Sequence, residues 1–263
     1  MKILFIGDVV GKAGRKALRR FLPQLQDESE AELTIVNAEN AAGGSGLTES
    51  VLKEILQYDD IDVLTSGNHI WDKREAFELI QTEPRLLRPH NYPAGTPGSG
   101  WTVVTGTNGV QVGVMNTMGT IFMNPILDCP FTCADRILEK KPKNIKVVLL
   151  DFHAEATSEK VAMGWYLDGR ISAVVGTHTH IPTADERILP KGTAHITDVG
   201  MTGCYNSVIG MEISNVLDRF VKRIPSRFEV ATGAGSVCGV VIDVDELTGL
   251  SRKITRVRFD EKS

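Results

Sequence analysis

No apolar run in this chain approaches the roughly 20 residues that a helix needs to cross a bilayer, so no membrane-spanning helix is expected. Charge of one sign is also lacking. The 29 Lys and Arg residues stand against 33 Asp and Glu, a formal net charge of -4, and this balance carries no strong signal for nucleic acid. The basic groups at 15–20 and 140–146 are local and read as solvated helix faces or connectors. Cysteine is scarce. Cys129, Cys133, Cys204 and Cys238 do not form the paired close motifs of a zinc ribbon or a disulfide framework. A strand pattern starts at Lys2 without a charged leader and apolar segment ahead of it, so no secretory signal is expected and the cytoplasm is the expected compartment. Internal repeats and low-complexity tails are missing as well.

What is present is enough apolar sequence for a large core. The 263 residues read as one α/β domain spanning 1–263. Strand and helix patterns alternate at the start: strand 3–6, helix 14–26, strand 33–36, helix 48–56, strand 61–65, helix 73–80. Residues 84–100 then carry four of the eleven prolines and predict an irregular connection that could frame a site. Residues 101–105 and 110–116 flank Asn108-Gly109, a pair suited to a hairpin turn. Further strands are expected at 147–150, 171–175, 194–197, 237–244 and 254–259, with a helix at 158–168 and a turn at 246–249. The apolar segment 118–130 suits either the core or contact with a second copy, which makes homo-oligomerisation an open expectation.

Five of these apolar runs stop at a carboxylate, an asparagine or a histidine. They end at Gly7-Asp8, at Asn37-Ala38-Glu39-Asn40, at Gly67-Asn68-His69, at Asp151-Phe152-His153 and at Gly176-Thr177-His178-Thr179-His180. Continuous apolar runs predict strands covered on both faces, whose carboxyl ends lie along one edge. Asp8, Glu39, Asn40, Asn68, His153, His178 and His180 would then converge. Carboxylate, amide and imidazole donors without thiolate suit Mn²⁺, Fe²⁺ or Zn²⁺. Seven donors exceed the need of one ion, and two ions about 3.5–4 Å apart are the arrangement that clamps a phosphoester. His178 and His180 would face the same side if extended, whereas a loop would free them to turn apart.

In this order, the motifs resemble those of the calcineurin-like metallophosphoesterase superfamily, and the blocks Gly7-Asp8-Val9-Val10-Gly11, Asn37-Ala38-Glu39-Asn40, Gly67-Asn68-His69-Ile70-Trp71-Asp72 and Gly176-Thr177-His178-Thr179-His180 resemble its YmdB-like branch. The resemblance covers nearly the whole chain. It implies a four-layer αββα sandwich of two mixed sheets flanked by helices. It also implies hydrolysis of the 2′ ester of 2′,3′-cyclic nucleotides to 3′-nucleotides by metal-hydroxide attack, with two metal ions, iron or manganese. One ion would be held by Asp8, Glu39, Asn40 and His180, the other by Glu39, Asn68, His153 and His178, with Glu39 as the bridge. The wider superfamily has a histidine two residues after the first aspartate; here Val10 stands there and Asn40 takes its place, which makes the site harder.

His69 follows Asn68 and is not needed as a ligand, so it is the expected general acid. Asp72 could orient it, although Asp72-Lys73-Arg74-Glu75 before an amphipathic run has the form of a helix capping box, the preferred role. Gly43-Gly44-Ser45-Gly46 is left without a role. Residues 7–15 have Ala13 where a P-loop requires Ser or Thr, and Gly44-Ser45-Gly46 lacks the third glycine of a dinucleotide fingerprint. His90 and His195 are expected to be structural, and Asn116 a rim residue. The expected substrate is a small cyclic nucleotide or another phosphoester. The competing readings are hydrolysis of a different phosphoester, amide hydrolysis with related ligands, or a non-catalytic metal- and nucleotide-binding regulatory module.

Overall fold

The apolar runs form strands whose side chains alternate between two cores. In the first half, β1 (Lys2–Ile6), α1 (Gly11–Ser29), β2 (Leu33–Asn37), α2 (Glu49–Leu56), β3 (Val63–Thr65) and α3 (Ala76–Thr82) alternate. The second half runs β4 (Trp101–Thr105), β5 (Gln111–Met118), α4 (Pro130–Lys140), β6 (Val147–His153), α5 (Thr157–Leu167), β7 (Ala173–Thr177), β8 (Arg187–Ile188), β9 (Ala194–Ile196), α6 (Ile213–Lys222), β10 (Ser236–Val244) and β11 (Ser251–Asp260). This computed structural model describes residues 1–57, 61–225 and 227–261; positions 58–60, 226, 262 and 263 of the expected 1–263 domain lie outside the described residues.

Two mixed sheets result. One has the order β11-β10-β1-β2-β3, the other β4-β5-β6-β7-β9-β8. Within the first, β1, β2 and β3 are parallel and β10 and β11 antiparallel; within the second, β5, β6, β7 and β9 are parallel and the two edge strands antiparallel. Because side chains alternate along a strand, Ile3 and Phe5 of β1 pack with Val112, Leu149 and Val175 of the opposite sheet. Leu4 and Ile6 turn the other way, onto Leu18, Leu22 and Leu25 of α1. On the far side Val148, Leu150 and Phe152 pack with Ile137 of α4 and Met163 and Leu167 of α5. The layers are therefore helix, sheet, sheet, helix, as the resemblance implies. Among the described residues no helix is long and apolar enough to cross a membrane.

Several elements differ from the sequence pattern. α3 starts at Ala76, not 73, and no side chain caps it. The expected capping box does not form because residues 66–75 turn around the strand ends and Asp72 is bonded to His69 instead. α4 has no counterpart among the expected elements; its buried face is short, with Pro130 at the helix start and Cys133, Ala134 and Ile137 inward. α6 has none either, and only Val216 of that helix is buried. The 118–130 segment is divided: Met118 and Met123 are buried, whereas Ile121, Phe122 and Ile126 are exposed. Asn116 is no rim residue. It is fully buried, and its Oδ1 accepts from Ser66 N at 3.2 Å.

His195 on β9 is buried with neither ring nitrogen bonded. Burial pushes its pKa down to about 4, against the pull of Asp185. The unfolded chain therefore binds one more proton than the folded one between about pH 6.5 and 4, so stability is full above that window and falls as pH drops through it. His195→Leu should flatten this part of the pH–stability curve by up to roughly 3 kcal/mol; urea midpoints at pH 7 and pH 5 for both proteins measure it.

Candidate metal centre

The carboxyl ends of β1, β2 and β3 in one sheet meet those of β6 and β7 in the other. Asp8 follows β1, Glu39 and Asn40 follow β2, and Asn68 and His69 follow β3; His153 closes β6, and His178 and His180 follow β7. Close approach depends on glycine at two of these junctions. A Cβ on Gly7 would stand 1.9 Å from the Gly200 carbonyl oxygen, and one on Gly67 would stand 2.1 Å from His153 Cδ2 and 2.2 Å from Glu39 Oε2. Both contacts are sterically impossible, so the strand ends can converge only around hydrogen at these positions.

His153 Nε2 is the geometric centre of the tighter half. Three electron-pair donors lie around it at 3.1 Å each: Glu39 Oε1, Asn68 Oδ1 and His178 Nδ1. One N–H cannot satisfy three acceptors. Cis ligands about 2.1 Å from an octahedral ion are separated by about 3.0 Å, so one cation fits the space that a proton serves poorly. Glu39, His153 and His178 offer ligand atoms all within 4.8 Å of one another.

The other half is looser. His180 Nε2 lies 4.0 Å from Asp8 Oδ1, and His153 Nδ1 3.9 Å from the same oxygen. Asn40 donates through Nδ2 to Gly44 O at 3.0 Å, which turns its Oδ1 away from that bond. Asp8 Oδ1 and Asn40 Oδ1 are both buried with no hydrogen-bond partner. A buried polar atom left unpaired costs about 1–3 kcal/mol, and these two are of the type that binds a hard cation. Asn40 lines a cavity of about 360 Å³ with Glu39, His178 and His180, so all seven expected ligand residues lie around the two halves.

Each histidine is anchored through the nitrogen that faces away. Thr177 Oγ1 donates to Asp151 Oδ1 at 2.6 Å, so it accepts from His153 Nδ1 at 2.9 Å and leaves Nε2 inward. His180 Nδ1 donates to the Ile209 carbonyl at 2.8 Å. His178 Nε2 lies 3.2 Å from the Glu155 carboxylate. Such outer bonds set the tautomer of metal-binding histidines. His178 and His180 adopt positive φ, 101° and 66°, a conformation uncommon outside glycine. The loop alternative is the one realised, and the two rings turn to different partners.

Electrostatics separates the groups. Burial disfavours the charged form of Glu39, but the neighbouring His153 outweighs it and holds the carboxyl down at about 2. Burial likewise opposes protonation of His153, yet Glu39, Asp8 and Asp151 raise it to about 9. Burial and the adjacent His153 push His178 down to about 3. Asp8 is raised, chiefly by burial.

His69 stands apart from this cluster. Its Nδ1 is 2.8 Å from Asp72 Oδ2, and its backbone N–H donates to Glu39 Oε2 at 3.4 Å. The ring lines both the 360 Å³ cavity and a second one of about 590 Å³ with Asn68, Trp71, Tyr92, Phe122 and His178. Supporting residues escape the sequence reading. Asp151 accepts from Asn37 Nδ2 at 3.0 Å, from Thr65 and from Thr177. The buried Lys160 bonds Asp198 Oδ2 at 2.7 Å, and that carboxylate also accepts from Thr179 N at 3.0 Å, which holds the His178–His180 turn. Asp151 ends an apolar run, a signal available in the sequence; nothing local to Lys160 or Asp198 marks them as partners.

A family model described as YmdB-like protein matches residues 4–257. The 2′,3′-cyclic-nucleotide 2′-phosphodiesterase of Bacillus subtilis (strain 168) is 50% identical over 261 residues, which cover 99% of this chain and 98% of that protein. A solved structure of a hypothetical protein from Thermus thermophilus shares 42% identity at a TM-score of 0.92, with all of both chains covered. A phosphatase structure from Mycoplasma pneumoniae shares 35% identity, also at 0.92, covering 99% of this chain and 93% of that one.

Two outcomes follow from the ligand geometry. Gly67→Ala removes no donor atom, yet it should abolish uptake at the Glu39, Asn68, His153 and His178 half, read as metal content after dialysis against Mn²⁺. Because His153 keeps its proton up to about pH 9 in the metal-free protein, a cation must displace it; Mn²⁺ affinity should rise about tenfold per pH unit from 6 to 8. Calorimetric titration in buffers of different ionisation enthalpy counts the released proton.

Proposed function

This chain belongs to the YmdB-like protein family, and from that membership and the strand-end geometry we propose that it is a metal-dependent phosphodiesterase that opens the 2′ ester of 2′,3′-cyclic nucleotides to give 3′-nucleotides. The observation that carries the metal dependence is the set of three acceptors around His153 Nε2 at 3.1 Å. Two ions are assigned. Asp8, Glu39, Asn40 and His180 hold one; Glu39, Asn68, His153 and His178 hold the other. The two buried oxygens without partners on Asp8 and Asn40 support the first set. Oxygen and imidazole donors without thiolate suit manganese, iron or zinc, and the family resemblance selects iron or manganese among them. When bound, the ions neutralise the phosphoryl oxygens and acidify a water.

The protein's own side chains orient the rest. His69 is the general acid for the departing 2′ oxygen. Asp72 Oδ2 accepts from His69 Nδ1 at 2.8 Å, so Nε2 is the nitrogen left to deliver a proton. Asn68 and His178 share the 590 Å³ cavity with His69, so two of the assigned ligands and the acid line the same space. Residues 1–263 act as one metallophosphoesterase domain in this reading.

Anaerobic metal analysis with turnover of 2′,3′-cyclic AMP, with and without added Mn²⁺ or Fe²⁺, tests the proposal. The expected result is two metals per chain and metal-dependent release of 3′-AMP. Metal uptake without that product would move the substrate to another phosphoester or leave a binding role. His69→Ala should keep both metals while kcat falls about 10²–10⁴-fold; Asp72→Asn should give a smaller loss, carried by kcat with KM unchanged. Full turnover in metal-replete His69→Ala would remove the histidine from the chemistry.

A further inference from the structure

A cavity of about 520 Å³ adjoins the 590 Å³ one beside His69, and Tyr92 lines both. Its other walls include Arg88, His90, Trp101, Arg136 and Lys140, with Asp128 as its one acidic side chain. Both cavities are of ligand-binding size. The charge here is poorly compensated. Arg88 is buried, and its guanidinium donates only to backbone carbonyls, those of Pro89, Thr96, Pro97 and Gly98. Arg136 pairs loosely with Asp128, at 3.9 Å, and otherwise meets the Cys133 thiol, which carries no charge to offset it. Lys140 makes no ion pair among the described residues. His90 registers the resulting field: burial lowers its pKa, and Arg88, Arg136 and Lys140 lower it further, with no carboxylate opposing them.

Aromatic rings run through the same surface. Trp71, in the cavity beside His69, meets Tyr92 edge-on at 6.0 Å between centroids. The Arg88 guanidinium lies 5.8 Å from the centre of the Tyr92 ring, and Trp101 also lines the second cavity. Rings interleaved with cations are the means by which proteins hold single strands, the cations on phosphates and the rings on bases.

We infer that this second cavity is a track for the 5′-ward nucleotides of an RNA strand that ends in a 2′,3′-cyclic phosphate. The inference rests on the phosphodiesterase reading above and extends its substrate from free cyclic nucleotides to RNA ends. A cyclic mononucleotide stops at its 5′ hydroxyl, which leaves Arg136 and Lys140 nothing to neutralise. In a polymer the 5′ oxygen carries the next phosphodiester, and the path from the metal centre past Tyr92 leads to those cations. The reaction is unchanged: water adds to phosphorus, the P–O2′ bond breaks, the 2′ oxygen takes a proton, and the strand is left with a 3′-phosphate. The overall charge of -4 does not oppose this, because the cations are concentrated beside the site.

The test compares kcat/KM for a tetraribonucleotide ending in a 2′,3′-cyclic phosphate with that for 2′,3′-cyclic AMP, using metal-loaded protein. The wild type should prefer the tetranucleotide by about tenfold at low salt. Two neutralised phosphates should make that advantage fall about sevenfold from about 50 to about 200 mM salt. Arg136→Ala with Lys140→Ala should remove the preference and leave the rate on cyclic AMP unchanged, since both side chains are exposed and outside the metal centre. Equal kcat/KM for the two substrates in the wild type, or a preference that survives the double substitution, would overturn the track. If neither substrate is cleaved, the phosphodiesterase reading fails separately. Fluorescence anisotropy of a labelled tetraribonucleotide with a 3′-phosphate then reads the track alone: binding lost in the double variant supports it, and no binding by the wild type overturns it. Equal competition by short polyphosphate would reduce the cavity to a general anion site and overturn the RNA assignment.

Discussion

Four carboxylates, those of Asp8, Glu39, Asp151 and Asp198, are buried where the two sheets meet at their carboxyl ends, and the rest of the site is arranged around the need to neutralise them. An uncompensated buried charge costs several kcal/mol. Asp198 is offset by the buried Lys160 and by donors from the Thr179 turn. Asp151 takes bonds from Asn37, Thr65 and Thr177. Glu39 has the His153 ring beside it, Nε2 lying 3.1 Å from Oε1. Asp8 has the least: its Oδ2 accepts from His178 N at 3.3 Å and its Oδ1 from nothing. The gradient of satisfaction runs from the supporting residues, which are complete, to the inward oxygens, which are not.

The same bonds join the sheets. Asn37 and Thr65, on β2 and β3, reach across to Asp151 on β6, and Asp8 accepts from the backbone of the β7 turn. Each candidate metal set draws residues from both sheets, so the interface core of Ile3, Phe5, Leu149 and Val175 fixes ligand spacing as well as stability. Packing at crystal-like density transmits small volume changes. The positive φ at His178 and His180 is sustained in this setting because the Lys160–Asp198 pair over-determines the turn.

The fold was legible to the extent that burial was continuous. Strands covered on both faces, such as 147–150, stand out as apolar runs, and the α1 face repeats at helical spacing. α4 and α6 were not legible, since one buries a short face and the other almost none, and periodicity measures burial. The candidate ligand residues stood out in the sequence because they interrupt apolar runs. Asp72 misleads for a local reason: a carboxylate three residues before a glutamate satisfies the pattern of a helix cap, and only the course of the 66–75 turns decides that it meets His69 instead. Lys160 and Asp198 were invisible, being 38 residues apart with no shared motif.

By itself the sequence determined which side chains lie at strand ends, that their donors are oxygen and imidazole without thiolate, and the family to which the ordered motifs belong, because alternation and apolar runs are properties of the local chain. Only the tertiary structure decided which atom of each side chain faces inward. Tautomers follow from outer partners such as Thr177, Glu155 and the Ile209 carbonyl, and the cation-lined cavity beyond Tyr92 assembles residues from the 84–100 connection and α4. These relations are contacts across the fold, and no spacing along the chain encodes them.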